Sequence, residues 1–97
     1  IYVEDLAEGN VAALQEIAKN KIYNLEGMRP ITVREVAVTI SKVFGGIPIE
    51  YRETRAGDFV GRISSNAKAY QELKWKPKVD LEEGVKRYVE WFKSADV

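Results

Sequence analysis

The residues best suited to chemistry in this chain of 97 lie in one segment, Arg52-Glu53-Thr54-Arg55-Ala56-Gly57-Asp58-Phe59-Val60-Gly61-Arg62, which brings three arginines into eleven residues. A planar guanidinium fork matches two phosphate oxygens at once. Arg55 can therefore grip a phosphate, Gly57 lets the backbone turn tightly, and Asp58 can accept from a sugar hydroxyl or hold Arg55 in place. A surface turn with exposed ion pairs, each worth little, fits the same residues. A second segment, Tyr23-Asn24-Leu25-Glu26-Gly27, sets a glycine just past an expected strand, and Thr32 caps the helix that follows. A helix start offers partial positive charge to an anion, so this turn can line a nucleotide pocket. An ordinary strand-to-helix loop accounts for it as well.

The residue types that are absent narrow the chemistry further. There is no cysteine and no histidine, which removes disulfides, thiol nucleophiles, Cys/His metal sites and imidazole bases. Acid–base work within the chain would fall to Asp, Glu, Lys or Tyr. Fifteen Lys and Arg balance fifteen Asp and Glu. A neutral chain lacks the footprint of a nucleic-acid binder or a polybasic membrane anchor. No stretch approaches the roughly 18 apolar residues of a membrane span. The sequence opens on Ile1-Tyr2-Val3, which reads as a strand end, and its one methionine is Met28, so a piece of a longer protein is expected.

Four helices are expected to position these segments. Asp5-Leu6-Ala7-Glu8, Thr32-Val33-Arg34-Glu35 and Asp80-Leu81-Glu82-Glu83 each set a capping residue three positions before a glutamate. The first helix is predicted over residues 6–18. The second carries Val33, Val36, Ala37, Ile40, Val43 and Phe44 at i, i+3, i+4, i+7 spacing and stops at Gly45-Gly46. A short third helix covers residues 66–74, and the fourth carries Leu81, Val85, Tyr88, Val89 and Phe92. Trp75 reads as a core anchor, with Pro77 setting the turn after it. Tyr88, Trp91 and Phe92 read as packing residues. Residues 22–25 and 47–52 alternate or cluster as strands. The predicted fold is therefore α/β, a small domain with a βαβ unit, a short, mainly parallel sheet and about four helices.

In order along the chain, these pieces resemble the carboxyl-terminal substrate domain of the NAD-dependent sugar-nucleotide epimerase/dehydratase family, the extended short-chain dehydrogenases of UDP-glucose 4-epimerase type. Tyr2-Val3-Glu4-Asp5-Leu6-Ala7 is similar to the family's Y-V-x-D-[LV]-A, and Tyr23-Asn24-Leu25 to Y-N-[LIV]. Thr32-Val33-x-Glu35-Val36 is similar to S-[IV]-x-E-[LIV], and Arg55-Ala56-Gly57-Asp58 to R-x-G-D. Ala67-Lys68-Ala69 through Leu73-x-Trp75-x-Pro77 resembles S-K-A-x-x-x-L-G-W-x-P. The tail from Leu81 to Phe92 resembles the family's last helix. Two positions depart from the pattern: Glu26-Gly27-Met28 stands where the family turn is G-x-G, and Ser65 and Ala67 stand where D-[IV]-S-K-A has its aspartate and serine.

The resemblance implies that residues 1–97 are a substrate-binding domain, with an NAD-binding Rossmann domain and its catalytic residues in an amino-terminal part outside this chain. It implies that Arg55 binds the nucleotide diphosphate, Asp58 lies by the ribose, Val33 packs on the nucleobase and Arg62 contacts the nucleotide. No catalytic residue, metal or cofactor is expected in this chain. The parent is expected to be a cytoplasmic, homodimeric isomerase of UDP-sugars or other nucleotide-sugars, in which NAD takes a hydride from C4 of the sugar and returns it to the opposite face. A dehydratase or decarboxylase of the same family, or a stand-alone binding module, are the alternatives.

Overall fold

The computed structural model describes residues 1–57, 61 and 64–95. Helix α1 (Val3–Ala12) is followed by a 3-10 turn (Glu16–Ala18), then α2 (Val33–Val43), α3 (Ala67–Leu73) and α4 (Leu81–Ser94). Two of the local start signals act as expected. Thr32 Oγ1 accepts from Glu35 N at 3.0 Å, and Asp80 Oδ1 accepts from Glu83 N at 2.9 Å. The stop signal of α2 acts as well: Gly45 takes φ +83, while Gly46 N donates to Ser41 O and Gly45 N to Lys42 O. That pair of bonds satisfies two end carbonyls that the helix itself leaves open.

The expected βαβ unit is absent: the described residues contain no strand and no sheet. Alternation makes a segment extended, but a ladder also needs a neighbouring backbone to exchange N–H and C=O with. Around residues 22–26 side chains take that place. Lys68 Nζ donates to Ile22 O at 2.8 Å, and Glu26 N donates to Asn66 Oδ1 at 2.6 Å. Residues 47–51 are likewise irregular.

The first capping signal also serves a different end. Asp5 lies inside α1 rather than before it, and α1 stops at Ala12 rather than running to residue 18. Asp5 is 2% exposed, and its carboxylate accepts at Oδ2 from Lys78 N (3.1 Å) and Val79 N (3.0 Å), tying α1 to the entry of α4. A carboxylate engaged across 73 residues is not free to cap its own helix. Asp5→Ala should cost about 2 kcal/mol, since two half-buried donors lose a charged acceptor and alanine's better helix propensity offsets part of that. Asp5→Asn, which keeps an acceptor, should cost about 1 kcal/mol. Urea unfolding of both variants checks the order, and equal costs would remove the charge from the account.

The core is small. Ala18, Ala69, Leu73 and Trp75 are buried together, with Ala12, Tyr23 and Leu25 packed against them. The 3-10 turn delivers Ala18 to α3, and Lys74, in the left-handed region at φ 58, ends α3 so that Trp75 can turn inward. Gly9 allows the close approach of α1, because a Cβ there would lie 2.5 Å from Leu25 Cδ1 and 3.2 Å from Trp75 Nε1. Elsewhere the molecule is open. Helix α2 packs on α4, yet no residue of α2 is fully buried. Tyr88, Trp91 and Phe92, expected to pack inward, stay about half exposed and contact one another, with ring centroids 5.8 Å apart for Tyr88–Trp91 and 6.5 Å for Tyr88–Phe92.

Overall dimensions agree with this openness. The radius of gyration is 16.3 Å, where a compact chain of this length has about 13 Å. The accessible surface is 8125 Å² for 11.0 kDa, against about 5600 Å² for an ordinary folded monomer of that mass.

One surface cluster gives the fold an acid-sensitive joint. Lys21 Nζ at 2.8 Å and Tyr23 Oη at 2.9 Å both donate to Glu72 Oε1, linking the segment after the 3-10 turn to α3. The hydrogen bond from Lys21, and next that from Tyr23, hold the Glu72 carboxyl below its ordinary value of 4.5. A depressed folded pKa contributes stability that is present above the unfolded value and is lost as pH falls through the folded one. The wild-type urea midpoint should therefore drop as pH falls below 4.5, and Glu72→Gln should drop less over the same window. Parallel curves for the two proteins would dismiss this joint as a source of acid sensitivity.

Candidate functional site

The described candidate residues, Val33 and Arg55, lie on two segments that touch near the start of α2, through Arg34 and Tyr51. Thr32 caps that helix, and Val33 is its first residue, 87% exposed, with no packing role of its own. An apolar side chain held out at a helix start is placed to meet a flat apolar group from solution. The next residue, Arg34, lays its guanidinium 5.6 Å from the Tyr51 ring centroid. That cation–π contact is worth about 0.5–1 kcal/mol at an exposed position. It also anchors the chain four residues before Arg55 against the helix that carries Val33.

Arg55 is exposed, at the end of the extended stretch after Tyr51. The turn follows at once: Gly57 takes φ +85, in the left-handed region that favours glycine, with open space where a Cβ would stand. Arg52 forms an exposed ion pair with Glu50 at 2.8 Å. Asp58 and Arg62 lie outside the described residues.

Three contributors were not foreseen from the sequence. Arg29 pairs with Glu35 at 2.8 Å, and this hydrogen bond holds the Glu35 carboxyl below its ordinary range. The pair braces the turn before α2 against its first helical turn. Ser64 and Asn66 reach the same turn from the far side, Ser64 Oγ to the Glu26 carboxylate and Asn66 to the Glu26 and Gly27 backbone. Residues 26–30 and 64–66 together wall a polar concavity of about 260 Å³ beside the α2 start. Nothing local in the sequence marks the contacts of Ser64 and Asn66, because their partners are about 40 residues away.

A larger cavity of about 470 Å³ lies between the chain start, α2 and α4, lined by apolar side chains that include Tyr2, Met28, Ile31, Phe44, Val85 and Val89. It contains none of the candidate binding residues. Among the described residues no cluster of acidic side chains could hold a metal ion, and no helix is long and apolar enough to cross a membrane. The described part of the arrangement comprises an arginine just before a turn, an exposed apolar residue at a helix start, and a braced polar wall.

Comparison with known proteins gives this arrangement a context: the chain is similar to one part of several UDP-sugar 4-epimerases. It is 38% identical over 96 residues to UDP-glucose 4-epimerase 4 of Oryza sativa subsp. japonica, covering 94% of this chain and 26% of that protein. It is 37% identical over 87 residues to UDP-glucose 4-epimerase of Bacillus subtilis, covering 86% of this chain and 26% of that protein. It is 29% identical over 93 residues to UDP-glucuronate 4-epimerase of Thermodesulfobacterium geofontis, covering 95% of this chain and 29% of that protein. The chain thus spans less than a third of the length of the curated relatives it matches. No family model matches it.

Proposed function

We propose that residues 1–97 are the carboxyl-terminal, nucleotide-gripping part of a UDP-sugar 4-epimerase of the UDP-glucose/UDP-galactose type. The observation that carries this reading is similarity over nearly all of this chain to UDP-sugar 4-epimerases of which it spans under a third. The site geometry supports it. Arg55 would hold the diphosphate and Val33 would pack on the base, with Asp58 by the ribose and Arg62 on the nucleotide. Binding energy collected at the nucleotide would orient the reacting sugar elsewhere in the protein.

The excess surface supports the same reading. About 2500 Å² beyond that of an ordinary monomer, with exposed apolar residues that include Val38 and Ile40 on α2 and Trp91 and Phe92 on α4, is comparable with one side of a large obligate interface. A covering domain from the same protein would bury it. The described residues offer no fit to NAD, since no strand leads into a glycine-rich helix start that could cradle a pyrophosphate. The cofactor, and every catalytic step, therefore belong to another part of the protein in this proposal.

The test is direct. The intact protein, given UDP-galactose, should form UDP-glucose. Loss of water or carbon dioxide from a nucleotide-sugar would move it to the dehydratases or decarboxylases, and failure to bind any UDP-sugar would overturn the reading.

A further inference from the structure

The polar concavity of about 260 Å³ between residues 26–30 and 64–66 is lined by neither Val33 nor Arg55. It lies where this chain departs from the family it resembles: Glu26 and Met28 place side chains at the two glycines of G-x-G. The backbone behind them is held. Asn66 stands before α3 yet makes no capping bond there, and its carboxamide serves the turn instead. Oδ1 accepts from Glu26 N at 2.6 Å, while Nδ2 donates to Glu26 O at 3.1 Å and Gly27 O at 3.4 Å.

The side chains of the wall offer both kinds of hydrogen bond. Ser64 Oγ donates to Glu26 Oε1, which steadies the carboxylate and leaves Oε2 to accept. Arg29 uses Nη1 for Glu35 and Pro30 O, so Nε and Nη2 keep N–H groups for a ligand. Ser65 Oγ accepts from Ala67 N at 3.1 Å and keeps its own O–H to donate. One carboxylate beside one guanidinium favours neither an anion nor a cation. The volume falls below the roughly 300–1,000 Å³ of pockets for drug-sized ligands, which suits a single small ring. Met28 and Pro30 add apolar surface for C–H groups. A neutral ring with adjacent hydroxyls meets all of these conditions, since its O–H groups donate to a carboxylate and its oxygens accept from arginine and serine. We propose that this concavity binds a sugar ring, with Glu26 accepting from a vicinal diol and Arg29 and Ser65 donating to its oxygens. A monosaccharide and the ribose of a nucleotide share that chemistry. The site does not depend on the nucleotide reading above.

The experiment follows the backbone amides of Glu26, Gly27 and Ser65 by NMR in the intact protein. With UDP-glucose at saturation, so that bound substrate fills its own site, D-galactose is titrated in. A separate monosaccharide site gives a saturable shift at these amides, and Glu26→Ala raises its Kd at least about tenfold, the scale of a lost charged hydrogen bond. If ribose is the occupant, UDP shifts the same amides, 2′-deoxy-UDP shifts them far less, and Glu26→Ala removes that preference. Glu26 is exposed, so the variant should fold; if it does not, Glu26→Gln, which loses the charge, carries the decision with the same direction. No Glu26-dependent response to galactose, and none that separates UDP from 2′-deoxy-UDP, would overturn the site. Galactose bound by a protein that ignores UDP would overturn the nucleotide reading and leave this site standing.

Discussion

Trp75→Ala should cost the chain about 3–5 kcal/mol of folding stability, the scale of removing a large buried aromatic. Trp75 is 4% exposed, and the residues buried with it are small: Ala18, Ala69 and Leu73. The indole also donates from Nε1 to Asp5 O at 2.9 Å, joining α1 to the segment after α3 across 70 residues. Ordinary domains hold only about 5–15 kcal/mol in total. A chain with this much uncovered surface should therefore lose its cooperative transition altogether, seen as a flat near-ultraviolet circular dichroism signal and a broad thermal melt. Trp75→Phe keeps most of the packing and loses only the hydrogen bond, so it should cost about 1–2 kcal/mol. A wild-type melt in Trp75→Ala would mean that the fold is held together elsewhere.

What the sequence could disclose was local. Thr32 and Asp80 announce their helices because the cap and the N–H it accepts from lie three residues apart, and Gly45-Gly46 announces a stop for the same reason. Trp75 was legible as a core anchor because an aromatic directly after a short helix, followed by Pro77, must turn inward or break the surface. Asp5 shows the limit. It has the same three-residue spacing to a glutamate, but a partner 73 residues on takes its carboxylate and the helix starts earlier. The strands fail for the corresponding reason: alternation in residues 47–51 says nothing about whether another backbone lies alongside. Tyr88, Trp91 and Phe92 have core spacing, and their exposure depends on what stands opposite α4, which periodicity does not record.

The candidate site divides in the same way. Val33 was named only by the resemblance, whereas the turn at Gly57 follows from a glycine in a polar stretch. The members that brace the site, Arg29, Arg34, Ser64 and Asn66, act between segments far apart in sequence or through geometry that residue type does not specify. Asn66 is the sharpest case, because its position suggests one role and its side chain performs another.

Arg55→Ala should weaken UDP binding by the intact protein by about 2–4 kcal/mol, roughly 30- to 1000-fold, the range for truncating one partner of a charged pair. The side chain is exposed and lies outside the core, so folding stability should stay within about 0.5 kcal/mol of wild type. Its carrier is pinned at Tyr51, which lies under Arg34, and turns at Gly57 with φ +85. Arg52, which pairs with Glu50, provides the control, and Arg52→Ala should leave binding nearly unchanged. The ligand provides a second one. If Arg55 grips the diphosphate, the loss should be large for UDP and absent for uridine, and it should shrink as added salt screens the charge. An equal loss for both ligands would place Arg55 on the nucleoside. Unchanged UDP affinity would return the whole arginine-rich segment to the alternative its residue types allow, a solvated turn.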